Sequence, residues 1–137
     1  MNKFKGDPLN ISFQHIVYTD KNGNSVYKTV ARCDVNGHNI PYEVFDKFFE
    51  MFANDKCFTC YTVSLYAETV CKGNDKPDFK KGERVARKKI MKKYMSMVNK
   101  AAIATYNELF ERCQELRELE AFTQKCQCDI VNFLKKQ

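Results

Sequence analysis

The sequence predicts an α+β fold, and three observations predict it. An Asn-Gly pair at Asn22 and Gly23 divides two runs of β-forming residues. A third such run, residues 57–71, contains neither Gly nor Pro. After Glu83 there is no Gly or Pro at all, and apolar or small residues recur at steps of three or four. At 137 residues the chain is long enough for one core and too short for two. It is read as a single domain over residues 1–137, with a small ββαβ part at 10–78 and one long helix or two helices at 79–135.

The elements follow in order. Ile11, Phe13 and Val17 share one parity of an alternating run, "DKNGN" supplies the turn, and residues 26–33 return, which is the pattern of a β-hairpin. A second Asn-Gly at Asn36 and Gly37 turns the chain again. Pro41 then suits the first turn of a short helix. Val44, Phe45, Phe48, Phe49 and Phe52 fall at helical spacing, so this helix should cover one sheet face and its aromatics are core. Residues 57–71, "CFTCYTVSLYAETVC", are dense in β-branched and aromatic residues and read as a long strand. "KGNDKPD" interrupts the pattern as a loop.

The last segment keeps a helical register from Ala86 through Ile90, Tyr94, Met97 and Ala101 to Phe133. This is about 50 residues, a rod on the order of 80 Å if unbroken. The alternative is a bend near residues 99–107, where the spacing slips as in a coiled-coil stutter. The small sheet cannot cover such a stripe. The expectation is therefore a homo-oligomer, with the stripe packed on a second copy of the chain.

Charge is unevenly placed. Residues 72–100 sum to about +8, while the segments on either side each sum to about −1. Eight Lys or Arg and a single acid lie between Lys80 and Lys93. Asp78 sits where an N-cap belongs, and Gly82 permits close approach of another backbone to the first turn. A helix N-terminus favours an anion, and Lys80, Lys81, Arg84, Arg87 and Lys88 add full charges around it. On a 3.6-residue period Lys81, Arg84, Lys88 and Lys92 share a face, which suits the solvated side of an amphipathic helix. Cations in the first turn oppose the helix dipole by about 0.3–1 kcal/mol each, and a bound anion would offset that cost. Phe79, Tyr66 and Tyr94 lie near this turn, where each is either core or a stacking surface.

Other chemistry is weakly supplied. Seven cysteines at irregular spacing, with no apolar h-region behind Met1, fit reduced, buried thiols in a cytoplasm. Cys57 and Cys60 lack a second pair at zinc spacing, and in a strand they point to opposite faces, so no metal is expected. His15 and His38 are the two histidines. They belong to no nucleophile elbow or phosphate-binding Gly-rich loop. Asp75 and Asp78 suffice as turn and cap residues. No run approaches the ~18 apolar residues of a membrane span. The reading is binding rather than turnover, with no cofactor.

"YAETVCKGNDKPDFKKGERVARKKI", residues 66–90, ends a strand in Ala-x-x-x-Cys (Ala67, Cys71), passes a loop with Asp75, and enters a basic helix through Gly-x-x-x-Ala (Gly82, Ala86). With the hairpin, short helix, strand and long helical region, this resembles the Thoeris anti-defence proteins of phages, which act as nucleotide sponges. The motif covers residues 66–90 and the architecture residues 10–130. The resemblance implies a non-enzymatic protein, in the cytoplasm of a bacterial host, that sequesters the cyclic ADP-ribose isomer made by a TIR-domain defence. It also implies assembly through the long helices, with the small anionic nucleotide held between subunits. Placed on the charge argument above, the diphosphate would meet Lys80, Lys81, Arg84 or Arg87, and Phe79 would stack on adenine. The rival reading is a basic phage protein that binds nucleic acid or an acidic protein partner, such as a component of a host defence complex. A phosphate track wants an extended stripe, whereas here the basic run stops at Lys93.

Overall fold

The computed structural model describes residues 9–53, 62–71 and 76–136. The fold is α+β: a three-stranded antiparallel sheet in the order β1-β2-β3, followed by a long C-terminal helix. Strand β1 is Ser12–Thr19, β2 is Ser25–Asn36 and β3 is Thr62–Cys71. The hairpin turn forms where Asn-Gly predicts it. Gly23 has φ of +80°, a conformation that favours glycine, and Asp20 accepts backbone N–H bonds from Asn22 and Asn24 through its side chain. Strand β2 runs three residues past the expected end at Cys33, until Asn36 caps a 3-10 turn at Gly37–Asn39.

The short helix also starts later than expected. Pro41 caps a second 3-10 turn, Tyr42–Val44, and helix α1 is Phe45–Phe52. Proline's fixed φ suits the turn, and the α-helical ladder closes only behind it. Phe48 and Phe49 are buried as expected, while Phe45 and Phe52 pack partly buried against the same core.

Two clusters of contacts divide the chain, Met1–Ala102 and Ile103–Gln137, and helix α2 (Phe79–Lys135) supplies residues to both. In the first unit one sheet face is covered. Register pairs Ala31 with Ala67, Cys33 with Leu65 and Val35 with Val63, and all six are buried together with Ala86, Ile90, Tyr94 and Ala101 of α2. Ala31, Ala67, Ala86 and Ala101 are all fully or almost fully buried in this cluster. Tyr94 donates its hydroxyl to the Asn39 carbonyl, which settles Tyr94 as a core residue. The opposite sheet face carries Arg32 over the Tyr66 ring at 5.7 Å, the Tyr66 hydroxyl donating to Glu68 at 2.5 Å, and Lys28 paired with Glu68 at 2.6 Å.

In the second unit, apolar side chains are exposed along the helix, among them Tyr106, Leu109, Leu116, Leu119, Phe122, Ile130 and Phe133. The expectation of buried thiols needs correction: Cys33 is buried, but Cys113 and Cys128 are exposed on this segment and Cys71 and Cys126 half-buried. Helical periodicity placed Cys113 and Cys126 on an apolar stripe, and that stripe is uncovered in the single chain. Cys57, Cys60 and Asp75 lie outside the described residues. No described helix is long and apolar enough to cross a membrane.

Candidate functional site

Helix α2 begins as the sequence requires. The Asp78 carboxylate accepts the Lys81 N–H at 3.1 Å, and the Asp78 carbonyl accepts from Gly82 N at 3.0 Å. The first turn carries no acid. The outward end of the helix dipole is therefore answered by one capping carboxylate, amid Lys80 and Lys81.

Glu83, Phe79 and Gly82 clamp this turn onto the sheet. His15 Nε2 donates to Glu83 Oε1 at 2.9 Å, and His15 Nδ1 lies 3.1 Å from Thr29 Oγ1. The Phe79 ring leans on the His15 ring, with centroids 4.3 Å apart, and meets the edge of Tyr27 at 6.3 Å. Gly82 sits over Thr29, where a Cβ would come within 2.5 Å of Thr29 Oγ1. Gly82 thus permits close approach to a side chain of β2, a packing role, rather than to the backbone the sequence suggested.

Thr29, His15 and Glu83 form a hydroxyl–imidazole–carboxylate array that the sequence reading missed. The signal was cross-strand register, which puts His15 opposite Thr29. Thr29 is only 4% exposed and lies under Gly82, and both line a cleft at the first turn. The array anchors the helix.

Two depressions flank the clamp. A cleft of about 240 Å³ lies on one side, lined by Tyr27, Thr69, Val70, Lys76, Phe79 and Lys81 among others. A broader basic depression of about 460 Å³ is formed by Asp78, Lys80, Glu83, Arg84 and Arg87. Asp78 borders both, so they adjoin across the first turn. The expected ligand set is accordingly divided: Phe79 and Lys81 border the cleft, Lys80, Arg84 and Arg87 the basic depression, and Lys88 neither. Arg87 also lies over the Phe13 ring at 5.3 Å, which fixes its guanidinium. Lys80, Lys81 and Arg84 make no ion pair among the described residues. Phe79, 41% exposed, keeps one ring surface accessible after packing on His15.

Two further lysines of α2 reach the sheet, which the sequence did not show. Lys89 Nζ donates to the Glu68 carbonyl at 2.8 Å, and Lys93 Nζ to the Tyr66 carbonyl. Among the described residues no cluster of His, Cys, Asp and Glu could hold a metal ion. No protein-family model, curated protein or solved structure matches the chain.

Proposed function

We propose that the protein is a non-catalytic binding protein for a small anionic nucleotide, seated at the start of α2. The observation that carries this reading is the pairing of an aromatic-edged cleft with a basic depression across one capped helix turn. A base fits beside Phe79 in the cleft, and a diphosphate reaches Lys80, Arg84 and Arg87 next to it. Ligand sites commonly join an apolar slot to a few convergent polar groups, and cations beside free helix N–H groups suit phosphate. The ligand class that follows from the resemblance is a cyclic ADP-ribose isomer, sequestered rather than turned over, in a counter-defence role in a bacterial host. Self-association through the exposed apolar stripe of Ile103–Gln137 belongs to the same reading.

The test is retention of ligand. The purified protein, incubated with a cyclic ADP-ribose isomer, should remove it from solution and release it chemically unchanged on heating. Released nucleotide with an opened ring would mean turnover, and no depletion at micromolar protein would reject the reading.

A further inference from the structure

A second groove of about 720 Å³ runs between α2 and the outer edge of β3, lined by Leu65, Tyr66, Ala67 and Glu68 and by Lys89, Lys92, Lys93, Met97 and Lys100 among others. We propose that this groove takes an acidic, extended polypeptide segment, which adds to β3 as a further strand. This site lies apart from the cleft and the basic depression, and it does not depend on the nucleotide reading.

Three observations carry the proposal. β3 pairs with β2 on one side, and no described strand pairs with its other edge. The outward carbonyls of that edge are available in direction, because Tyr66 and Glu68 present them to Lys93 and Lys89. Four lysines line the groove against one acid, Glu68, whose carboxylate is already engaged by Lys28 and by the Tyr66 hydroxyl. Lys92 and Lys100 make no ion pair among the described residues.

In the unliganded protein, Lys89 and Lys93 occupy the edge as strand-blocking lysines do. An incoming strand exchanges partners with them. Its backbone N–H groups take the Tyr66 and Glu68 carbonyls, and its carboxylates take the two ammonium groups. The carbonyls keep a hydrogen bond each, while the lysines trade a neutral acceptor for a charged one, which is the stronger bond. Side chains alternate along a strand, so acids at every second position face the lysines. This pattern of main-chain pairing with pockets for alternate side chains is how exposed sheet edges capture peptides. A nucleic acid offers charge to the lysines but no N–H groups spaced for β3.

The probe is an octapeptide alternating valine and glutamate, titrated by calorimetry and by amide NMR. Binding should shift the amides of Ser64, Tyr66 and Glu68, and the paired change Lys92→Glu with Lys100→Glu should weaken it about tenfold or more through like-charge repulsion. Those two side chains make no ion pair among the described residues, so an unchanged wild-type spectrum outside the groove confirms that the variant is intact. Methylating alternate peptide nitrogens should abolish binding. Binding that survives methylation would overturn the proposal in favour of a bare electrostatic handle. A silent titration at millimolar peptide would overturn it as well. So would preferential binding of a single-stranded oligonucleotide that leaves the β3 amides unmoved.

Discussion

At the scale of single residues, Gly82 and Tyr94 show how far local identity reaches. Alanine is about 1 kcal/mol better than glycine inside a helix, yet a Cβ at Gly82 meets Thr29 Oγ1 at 2.5 Å. Thr29 is buried and bonded to His15, so it cannot turn aside without breaking that contact. Overpacking of this kind costs about 1–3 kcal/mol. Gly82→Ala should therefore destabilise the fold in chemical denaturation, and Thr29→Ala in the same chain should recover part of the loss. Tyr94 makes a pH prediction. Burial pushes its hydroxyl up to about 12 from an ordinary value near 10. A raised value means the folded state holds the proton more tightly, so the stability it contributes is complete below about pH 10 and is lost as pH rises toward 12. Unfolding midpoints measured between pH 9 and pH 12 should fall over that window. Tyr94→Phe should lower stability at pH 7 by about 1–3 kcal/mol, by removing the hydroxyl's hydrogen bond to the buried Asn39, and should flatten the alkaline fall. Phe79 and Tyr94 were equally ambiguous in sequence. They separate because α2 turns Tyr94 into the core, four turns beyond the clamp, while Phe79 caps the sheet edge with one surface in solvent.

At the scale of elements, the positive charge of α2 resolves into separate tasks. Lys89 and Lys93 reach the edge of β3, Arg87 lies over Phe13, and Lys80, Lys81 and Arg84 make no ion pair among the described residues. Sequence periodicity set Lys81, Arg84, Lys88 and Lys92 opposite Ala86, Ile90 and Tyr94, and those three are buried, but which lysines meet the sheet edge depends on how helix and strand are packed, and no spacing within α2 encodes that. The hairpin, the third strand and the uninterrupted helical register were legible because each rests on local chemistry: Asn-Gly, β-branched density, and the absence of Gly and Pro. The extension of β2 and the first 3-10 turn were not, because they depend on Asn36 and Asn39 bonding reciprocally across the turn; the second follows Pro41, whose carbonyl accepts the Val44 N–H. The Thr29–His15–Glu83 anchor was invisible for the same reason, joining three elements. The cap gives a further test. Asp78→Asn keeps an acceptor for the Lys81 N–H but removes the one carboxylate bordering both depressions, so thermal stability should change little while nucleotide affinity rises. Asp78→Ala loses the cap as well and should cost about 1 kcal/mol.

At the scale of the whole molecule, the proposed function combines assembly with ligand capture. The unit Ile103–Gln137 exposes Leu109, Leu116, Leu119 and Phe133 to more than half of their surface, and the proposed self-association would bury them. Light scattering at micromolar concentration should return a mass above the 16.0 kDa of one chain. Leu116→Glu with Leu119→Glu should shift it toward 16.0 kDa, by placing charge on the stripe. A monomeric wild type would remove assembly from the account and leave the cleft intact.

Titrating alanine variants with a cyclic ADP-ribose isomer and a short DNA duplex, at two salt concentrations, decides whether the start of α2 is a local nucleotide site. Hydrogen bonds from charged groups contribute about 1.5–3 kcal/mol each, so Lys80→Ala, Arg84→Ala and Arg87→Ala should each weaken nucleotide binding about tenfold or more. Phe79→Ala should weaken it through lost stacking, and Lys92→Ala and Lys100→Ala should leave it within about twofold, since both lie outside the two depressions. The account predicts that steep profile, with modest salt dependence. A flat profile over all the lysines, or duplex binding that falls steeply with salt and no nucleotide binding, would contradict it.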